Sequence, residues 1–238
     1  MIPKVIHYCW FGGKKLPLDV RKCIKSWKKY CPDYEIVQWD ESNFDVRQNK
    51  FVSQAYASRA WAFVSDYARL KIIYDMGGVY LDTDVELIKK IDELLKDDCF
   101  LATQAEPQRI ATGLGFGAVK GHSAIEKMLK EYEDLEFNIE ERNSFMCPIL
   151  NTNPFINIGY VPSNEIQQVE NAIIYPSRYF DPINSDGFNI TNETVSIHHY
   201  SATWESGVHR IKRKVAITIG PRMEGLIKKN MKKRNSKI

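Results

Sequence analysis

The sequence predicts an α/β domain that contains parallel strands, and three observations lead to this prediction. The chain has 238 residues, of which 44% are hydrophobic and 26% charged, and this composition is ordinary for a globular protein with one sizeable core. Residues 4–39 have the patterns of a strand, a helix and a second strand, an order that predicts parallel strands with a right-handed crossover. Residues 65–86 have the patterns of a helix, a double-glycine stop and a short strand.

The first strand is predicted over Lys4–Cys9, which is apolar and contains β-branched residues. It ends at Trp10, an aromatic residue that is followed by a flexible turn. An aromatic side chain at the carboxyl end of a first strand can stack on a flat ring such as a base, while a core position for Trp10 fits the sequence equally well. Leu18–Tyr30 has apolar residues at helical spacing with Lys and Arg between them, and Tyr34–Trp39 predicts the second strand.

The strongest functional pattern follows the helix that ends at Met76. Gly77 and Gly78 are the expected helix stop, because glycine adopts the left-handed conformation without steric cost. A short apolar strand then leads to Asp82 and Asp84, which lie two residues apart and therefore share one face of an extended backbone. Two carboxylates placed in this way suit Mg²⁺ or Mn²⁺, and such an ion keeps open positions for substrate phosphates.

The same predicted helix starts around Ser58 and carries Asp66 and Arg69 three residues apart. Side chains at this spacing lie next to each other on one helical surface. The pair is a candidate for holding a phosphorylated, metal-bridged ligand. The alternative is an exposed ion pair that stabilises the helix by only about 0.3 kcal/mol.

The remaining segments have weaker patterns. Residues 41–53 are polar and irregular and predict a loop. Gly113 opens a glycine-rich apolar run that we expect to form a strand near a ligand. Residues 136–195 are interrupted by five prolines and predict short strands and loops, the expected region of acceptor contacts. The next strand, over Thr194–Tyr200, contains tandem histidines that are either metal ligands or structural residues.

Cysteine usage predicts a reducing compartment. The five cysteines are scattered, odd in number and include no C-x-x-C, which argues against a disulfide framework and against a zinc site. The amino terminus has no signal-peptide pattern, and no apolar run has the length that spans a bilayer. We therefore expect a cytoplasmic location, with peripheral attachment to the inner face of the membrane as an option.

Charge is distributed unevenly along the chain. Residues 210–238 contain eleven Lys/Arg and one acidic residue, a net charge of +10, whereas residues 1–209 have a net charge of −7. We expect a domain over 1–209 and a basic helical tail over 210–238 that contacts an anionic membrane surface. A tail that only keeps the protein soluble is the alternative, and because nothing upstream resembles a base-reading module, no nucleic-acid partner is expected.

Three classes of protein are weighed for this sequence. One is a glycosyltransferase that uses a nucleotide-sugar, in which a metal ion bridges the diphosphate. The second is a haloacid-dehalogenase-like phosphatase that uses Asp82 and Asp84, although here the motif comes late in the chain and Glu86 stands where that pattern has Thr or Val. An EF-hand fits less well still, because it requires a loop glycine and a twelfth-position Glu that this sequence lacks. The third class is a basic-tailed nucleic-acid-binding protein, a function that only the tail would carry.

Four blocks in sequence order resemble the DXD sugar-binding glycosyltransferases, the capsular polysaccharide and fungal mannosyltransferase-like enzymes related to the glucosyltransferase domain of the large clostridial toxins. The blocks are IHYCWFGG (6–13), SDYARL (65–70), GGVYLDTDV (77–85) and HHYSATW (198–204). The resemblance covers most of the chain, and residues 120–195 match only loosely. It implies a GT-A fold, a single Rossmann-like domain with a mostly parallel central sheet, here with a helical C-terminal tail.

The resemblance also implies roles for individual residues around a nucleotide-sugar and Mn²⁺ or Mg²⁺. Those implied to contact the donor are Trp10 on the base, Asp66 and Arg69 on the sugar hydroxyls, Tyr80 near the nucleoside, Asp82 on ribose or sugar, and Trp204 on the diphosphate. The implied metal ligands are Asp84 and His199, although the toxins have Glu and Ser ligands where this chain has His198, His199 and Ser201.

The implied activity is a metal-dependent, retaining transfer of a hexose from a nucleotide-sugar, with a UDP-sugar favoured, to a glycan acceptor. We expect a lipid-linked acceptor and a place in the synthesis of a capsule or another surface polysaccharide. Asp66, Arg69 and Asp82 are the residues expected to act on the donor sugar during the reaction.

Overall fold

The structure, a computed structural model, describes residues 1–184 and 187–200. Trp204 and the tail over 210–238 lie outside the described residues. The chain forms short strands and five α-helices in that part. The strands are β1 (Val5–Cys9), β2 (Glu35–Trp39), β3 (Gly78–Tyr80), β4 (Val85–Leu87), β5 (Cys99–Ala102), β6 (Phe116–Ala118), β7 (Gln167–Val169), β8 (Ala172–Tyr175), β9 (Ile183–Asn184), β10 (Gly187–Phe188) and β11 (Ser196–His198). The helices are α1 (Leu18–Tyr30), α2 (Lys50–Ala57), α3 (Trp61–Met76), α4 (Ser123–Lys130) and α5 (Cys147–Ile156).

The central sheet has seven strands in the order β2-β1-β3-β6-β5-β8-β7. Strands β2, β1, β3, β5 and β8 point in one direction, whereas β6 and β7 run against them. The sheet is therefore mixed but mostly parallel, as the resemblance implied. The carboxyl ends of β1 and β3 lie next to each other, and in open α/β sheets ligands bind at this edge.

Side chains alternate between two hydrophobic cores, one on each face of the sheet. On β1, Ile6 and Tyr8 pack with Trp27 of α1, whereas Cys9 packs with the core that α2, α3, α4 and α5 cover. Tyr80 of β3 joins the second of these cores. This period of two is the pattern of a sheet that is buried on both faces.

A smaller sheet of β4 and β11 lies beside the central sheet and brings the end of the described chain to the segment after the D-x-D motif. The strands are antiparallel, with Ser196 opposite Leu87 and His198 opposite Val85. The backbone N–H of His199 then donates to the carbonyl oxygen of Asp84 at 3.0 Å. The histidine segment is therefore held directly against the D-x-D turn.

Two helices were missed by the sequence patterns. The predicted loop over 41–53 is wrong in its last part, because α2 begins at Lys50 after Asn49, whose side chain accepts a hydrogen bond from the N–H of Val52. The predicted strands and loops of 136–195 are interrupted by α5, which contains Pro148 in its first turn and Pro154 in its interior. No helix in the described ranges has both the length and the apolar character to cross a bilayer.

Candidate active site

The double glycine between α3 and β3 is required by both conformation and space. Gly77 has φ +70° and caps α3, with its N–H donating to the carbonyl oxygen of Ile73 at 2.9 Å. Gly78 has φ +108°, and a Cβ there would lie 2.9 Å from the carbonyl oxygen of Val5 and from Nε2 of His7. The chain therefore turns from helix into strand in direct contact with β1.

His7 fixes this turn from the neighbouring strand. The indole N–H of Trp39 donates to Nδ1 of His7 at 3.0 Å, so Nδ1 must accept and the ring proton is on Nε2. Nε2 then donates to the carbonyl oxygen of Gly77 at 3.0 Å. Burial lowers the pKa of His7 to about 4, and the neutral ring is the form that fits these two bonds.

The strand after the double glycine delivers the D-x-D motif to the sheet edge. The N–H of Leu81 donates to the carbonyl oxygen of His7 at 3.1 Å, which extends the pairing of β3 with β1 by one residue. A turn follows, closed by the N–H of Val85 donating to the carbonyl oxygen of Asp82 at 3.0 Å. The carboxylates of Asp82 and Asp84 lie in this turn and both line the cleft.

Arg69 connects the helix to the motif through buried polar contacts. Its Nη2 donates to Asp66, its Nε donates to the carbonyl oxygen of Ser65 at 3.1 Å, and its Nη1 lies 3.4 Å from Oδ2 of Asp82. Tyr80 completes the cluster by donating from its hydroxyl to Oδ1 of Asp82 at 3.0 Å. The side chains of Arg69 and Asp66 are 4% and 10% exposed, so the alternative of an exposed helix ion pair is excluded.

Burial and neighbouring charges act in opposite directions on Asp82. Burial raises the pKa of Asp82, and the nearby charge of Asp84 raises it further, while Arg69, His198 and Tyr80 favour the carboxylate. Asp82 thus lies between a guanidinium and a second carboxylate, and a bound cation would remove the repulsion between the two aspartates.

Gly113 lies against this cluster, and the strand predicted from Gly113 onwards begins only at Phe116, as β6. A Cβ at Gly113 would lie 2.5 Å from Oδ2 of Asp82 and 2.8 Å from Nη1 of Arg69. The backbone after β5 therefore packs directly on the ion pair, and only glycine leaves room for it.

The structure brings His198, and not the predicted His199, to the D-x-D motif. Nε2 of His198 lies 3.1 Å from Oδ1 of Asp84, and one ligand atom each from Asp82, Asp84 and His198 lies within 4.8 Å of the others. His199 points the other way, with Nε2 2.8 Å from Oε2 of the partly exposed Glu86. Successive residues of a strand face opposite sides, so the pairing of β11 with β4 decides which histidine enters the site.

Asp82, Asp84 and His198 form a donor set that fits a divalent cation. Two carboxylates and one imidazole suit Mn²⁺, and Mg²⁺ accepts the carboxylates. Nδ1 of His198 is buried and has no hydrogen-bond partner among residues 1–184 and 187–200. Burial alone would lower the pKa of His198, but the charge of Asp84 and the hydrogen bond to it leave that pKa raised.

A buried carboxylate that the sequence patterns missed supports His198 from behind. The ring of Tyr200 meets the ring of His198 edge to face, with centroids 4.2 Å apart. The Tyr200 hydroxyl donates to Oδ2 of Asp181 at 2.7 Å, and the N–H of Ala105 donates to the same oxygen at 2.9 Å. Asp181 is 2% exposed and lies in the segment after β8, where no periodic pattern marks it in the sequence.

These residues surround a single cleft of about 480 Å³ at the carboxyl ends of β1 and β3. The D-x-D turn lines it together with six further stretches of the chain, within 9–14, 59–69, 111–114, 147–148 and 198–200 and at Gln104. The lining residues include Trp10, Lys14, Arg59, Trp61, Asp66, Arg69, Gln104, Gly113, Cys147, His198 and Tyr200. Of the predicted donor contacts, Trp10, Asp66, Arg69 and Asp82 line this cleft, whereas the buried Tyr80 lies beneath Asp82 and does not.

Several lining residues have no signal in the sequence patterns. Trp61 is at the start of α3 and packs against Gly12, where a Cβ would lie 2.8 Å from its ring. Cys147 is at the start of α5, where its thiol donates to Oδ1 of Asn151 at 2.9 Å. Both come from segments whose place at the cleft depends on contacts that are distant in the sequence.

Comparisons with known proteins agree with this geometry. Residues 17–101 match the family model described as "Glycosyltransferase sugar-binding region containing DXD motif". The "Inositol phosphoceramide mannosyltransferase 3" of Schizosaccharomyces pombe is 30% identical over 141 residues, which are 58% of this chain and 39% of that protein. The "Inositol phosphoceramide mannosyltransferase 1" of the same organism is 24% identical over 215 residues, which are 82% of this chain and 65% of that protein.

A solved structure shows the same fold. The "PaToxG Glycosyltransferase" superposes with a TM-score of 0.53 at 18% identity, covering 66% of this chain and 68% of that one. This likeness, together with the mostly parallel sheet, confirms the GT-A fold that the resemblance implied.

Residues 17–101 therefore resemble a glycosyltransferase sugar-binding region, and the two curated relatives are named as mannosyltransferases. The match to the DXD family model confirms the resemblance stated from the sequence. The chain spans 39% and 65% of the length of the two curated relatives, so the reaction, substrates and partners of the whole protein are treated below as proposals.

The alternative of a haloacid-dehalogenase-like phosphatase receives no support from these comparisons.

Proposed function

We propose that the protein transfers a hexose from a nucleotide-sugar to a glycan or lipid-linked glycan acceptor, with retention of anomeric configuration. The observation that carries the proposal is the meeting, in one cleft, of the buried Asp66–Arg69 pair with the Asp82, Asp84 and His198 group. Binding a nucleotide-sugar requires two kinds of group. The neutral sugar needs hydrogen-bonding side chains, and the diphosphate needs positive charge. We take a UDP-sugar as the donor to test first.

The donor sugar would be held by Arg69 and Asp66. A guanidinium has five N–H donors, and the contacts to Ser65, Asp66 and Asp82 use three of them. The remaining donors and the Asp66 carboxylate can bind sugar hydroxyls at the cleft wall. Because the pair is buried and doubly anchored, these groups are held in place before the ligand arrives.

The nucleotide would extend from the D-x-D turn towards Trp10. The indole N–H of Trp10 donates to the carbonyl oxygen of Lys14, and this bond fixes the ring at the rim of the cleft. Trp61 and Arg59 line the same side, so the base meets aromatic faces and the phosphates meet cations. Trp204, a proposed diphosphate contact, lies outside the described residues.

We propose that Asp84 and His198 hold Mn²⁺ or Mg²⁺, with Asp82 bound directly or through water. When bound, the cation supplies positive charge for the leaving diphosphate. The ligand predicted from the sequence, His199, is paired with Glu86 and is the weaker candidate.

In the reaction, the bond between the anomeric carbon and the β-phosphate oxygen breaks. An acceptor hydroxyl oxygen bonds to that carbon from the same face, and its proton passes to the departing diphosphate. Asp66 stabilises positive charge on the sugar ring, and Arg69 keeps the ring in place by holding its hydroxyls. No carboxylate of the cleft is assigned as a covalent nucleophile, because Asp66 and Asp82 are both bonded to Arg69.

The two fungal relatives are named as mannosyltransferases that act on inositol phosphoceramide. This supports the proposal of a lipid-linked acceptor for the present chain. A role in capsule or other surface polysaccharide synthesis, a cytoplasmic location and attachment of the 210–238 tail to the inner face of the membrane belong to the same proposal. Deleting the tail should lower binding to anionic vesicles and leave donor hydrolysis unchanged; unchanged binding would remove the tail from the proposal.

The decisive experiment is a donor-hydrolysis screen over UDP- and GDP-sugars, with and without Mn²⁺. We expect one nucleotide-sugar to be hydrolysed only when Mn²⁺ is present, and Asp84→Asn to abolish that hydrolysis. Asp75→Asn is the matched control, because Asp75 is a helix-surface residue paired with Lys71. Hydrolysis that persists in Asp84→Asn would refute the metal assignment, and release of phosphate from a simple monoester would favour the phosphatase.

A further inference from the structure

Helix α1 presents an exposed row of cations on the side opposite to its packed face. Val20, Cys23 and Trp27 are buried against the sheet. The exposed face begins with Leu18 and continues at the three- and four-residue spacing of one helical surface. Together with two lysines just before the helix, its cations form what we term the cationic stripe: Lys14, Lys15, Arg21, Lys22, Lys25, Lys28 and Lys29.

The charges of the cationic stripe are not neutralised locally. No salt bridge within residues 1–184 and 187–200 involves any of its seven members, whereas surface lysines such as Lys4, Lys50 and Lys71 each contact a carboxylate. Residues 14–29 carry a net charge of +6, while the rest of 1–209 carries −13. The stripe is therefore a positive surface on an otherwise acidic body, and such a surface attracts an extended anionic partner.

The cationic stripe has a fixed position relative to the active site. Trp27 donates from its indole N–H to the carbonyl oxygen of Val85 at 2.8 Å, and the N–H of Leu87 donates to the hydroxyl of Ser26 at 2.9 Å. These bonds attach α1 to the strand that follows the D-x-D turn. At the other end Lys14 lines the cleft, so a row about 20 Å long starts at the cleft rim.

We propose that the cationic stripe docks the protein on a lipid bilayer with anionic headgroups, in addition to any contact by the tail. Clusters of four to eight Lys/Arg on a helix bind such surfaces. Leu18, 70% exposed at the cleft end of the stripe, supplies an apolar side chain for the interface. Single-stranded nucleic acid fits less well, because the large exposed apolar side chains among the described residues are aliphatic or Met and offer no ring for base stacking.

This docking rests on the proposed function in one respect, namely that the acceptor is lipid-linked and must reach the cleft from the membrane. A cleft rim held at the headgroup level would meet the sugar of such an acceptor. The electrostatic attachment itself is measurable without any transferase activity, so the two proposals can fail separately.

The test uses the full chain and vesicles of phosphatidylcholine with about 30% phosphatidylserine, which gives the vesicles an anionic surface. The variant Lys22→Gln/Lys25→Gln/Lys28→Gln removes three exposed cations that do not line the cleft. Its matched control is Lys50→Gln/Lys120→Gln/Lys130→Gln, which removes the same charge from exposed positions of α2, α4 and the loop before α4. Both variants retain the tail.

We expect the stripe variant to lose about 100-fold in vesicle partitioning, since each cation near an anionic surface contributes roughly fivefold, and the control to lose little. Donor hydrolysis in solution should be equal in all three proteins. Equal partitioning of the two variants, or wild-type binding that is the same on neutral vesicles, would overturn the proposal. Binding of a single-stranded oligonucleotide that shows the same stripe-specific loss without vesicle binding would also overturn it. If no donor is hydrolysed but the stripe-specific loss is observed, docking stands and the proposed reaction fails.

Discussion

The two halves of the active site differ in where their parts come from. The Asp66–Arg69–Asp82 cluster is built by α3 and the residues just after β3, so its members lie within seventeen positions of one another and within the core. The Asp84–His198 pair joins residues more than a hundred positions apart through the short β4–β11 sheet. The first half is held by a helix, a glycine turn and buried hydrogen bonds. The second depends on the pairing of two three-residue strands and on the support of Tyr200 by Asp181.

This difference separates two kinds of contribution. Disturbing the α3–β3 half should cost fold stability, because charges would be left buried without partners. Disturbing the β4–β11 half should cost metal affinity with little loss of stability, because β4 and β11 form a separate two-stranded sheet beside the central one. The following predictions test this division, beginning with the largest expected effect.

Replacing Arg69 with methionine should lower the free energy of unfolding by about 3–5 kcal/mol, because the buried Asp66 would lose its guanidinium partner and the partly buried Asp82 would keep only the Tyr80 hydroxyl. Chemical denaturation measures the change. Lys71→Met is the control on the same helix: its ion pair with Asp75 is largely solvated and should contribute less than about 1 kcal/mol. Equal losses in the two variants would contradict the buried role of Arg69.

His7 should make the α3–β3 half sensitive to acid. Its pKa is about 4 in the folded protein and about 6.5 in the unfolded chain, so the unfolded state binds more protons between these values. The stabilisation is present above pH 6.5 and is lost as the pH falls towards 4, with roughly 2.5 kcal/mol gone at pH 4.5.

Denaturation of wild type and His7→Gln at pH 7 and pH 4.5 isolates this contribution, because the other titrating groups are common to both proteins. The variant should lose about 2.5 kcal/mol less than wild type between the two pH values. Parallel losses in both proteins would show that His7 is not the responsible group.

The tandem histidines provide a matched pair in the β4–β11 half. His198→Ala should weaken Mn²⁺ binding by at least about 100-fold, since losing only a supporting residue costs roughly 10- to 100-fold. His199→Ala should leave the affinity within about twofold, because that ring contacts Glu86. Isothermal titration with Mn²⁺ in the absence of donor distinguishes the two, and the reverse order would restore His199 as the ligand.

Of these four predictions, the replacement of Asp181 should have the smallest effect, and this effect should be mainly on the affinity for Mn²⁺. Asp181→Asn weakens the hold on Tyr200 and should reduce Mn²⁺ affinity by about tenfold, with unfolding changed by less than about 1 kcal/mol. Tyr200→Phe removes the same hydrogen bond from the other side and should reproduce the loss. If the two losses add in the double variant, the bond between Asp181 and Tyr200 is not what supports His198.

The part of the fold that the sequence predicted is the part governed by local rules. The β1–α1–β2 unit and the stop of α3 at Gly77 follow from apolar spacing and glycine conformation, and the structure confirms them. Helix α5 was missed because its sequence is apolar on most sides and contains two prolines, so it has no clear helical periodicity.

The same limit applies to the site. Asp66, Arg69, Asp82 and Asp84 were predicted from their spacing within one helix and after one strand, and all four line the cleft. The extended backbone predicted for the two aspartates is wrong, because β3 ends at Tyr80 and both residues lie in the turn that follows. The choice between His198 and His199 depends on which residues of β11 face those of β4, and this pairing leaves no trace in the local sequence. Asp181 is recognisable only once Ala105 and Tyr200 are seen around it.

The glycine turn before β3 has a consequence for insertions and deletions. Because β3 is only three residues long and follows a turn that excludes side chains, neither the strand nor the turn can accommodate an inserted or deleted residue. Removing one residue between Met76 and Asp82 would exchange the two faces of β3 and displace the turn that carries both aspartates. Across related sequences, the number of residues between Arg69 and Asp82 should therefore be constant, even where the side chains between them differ.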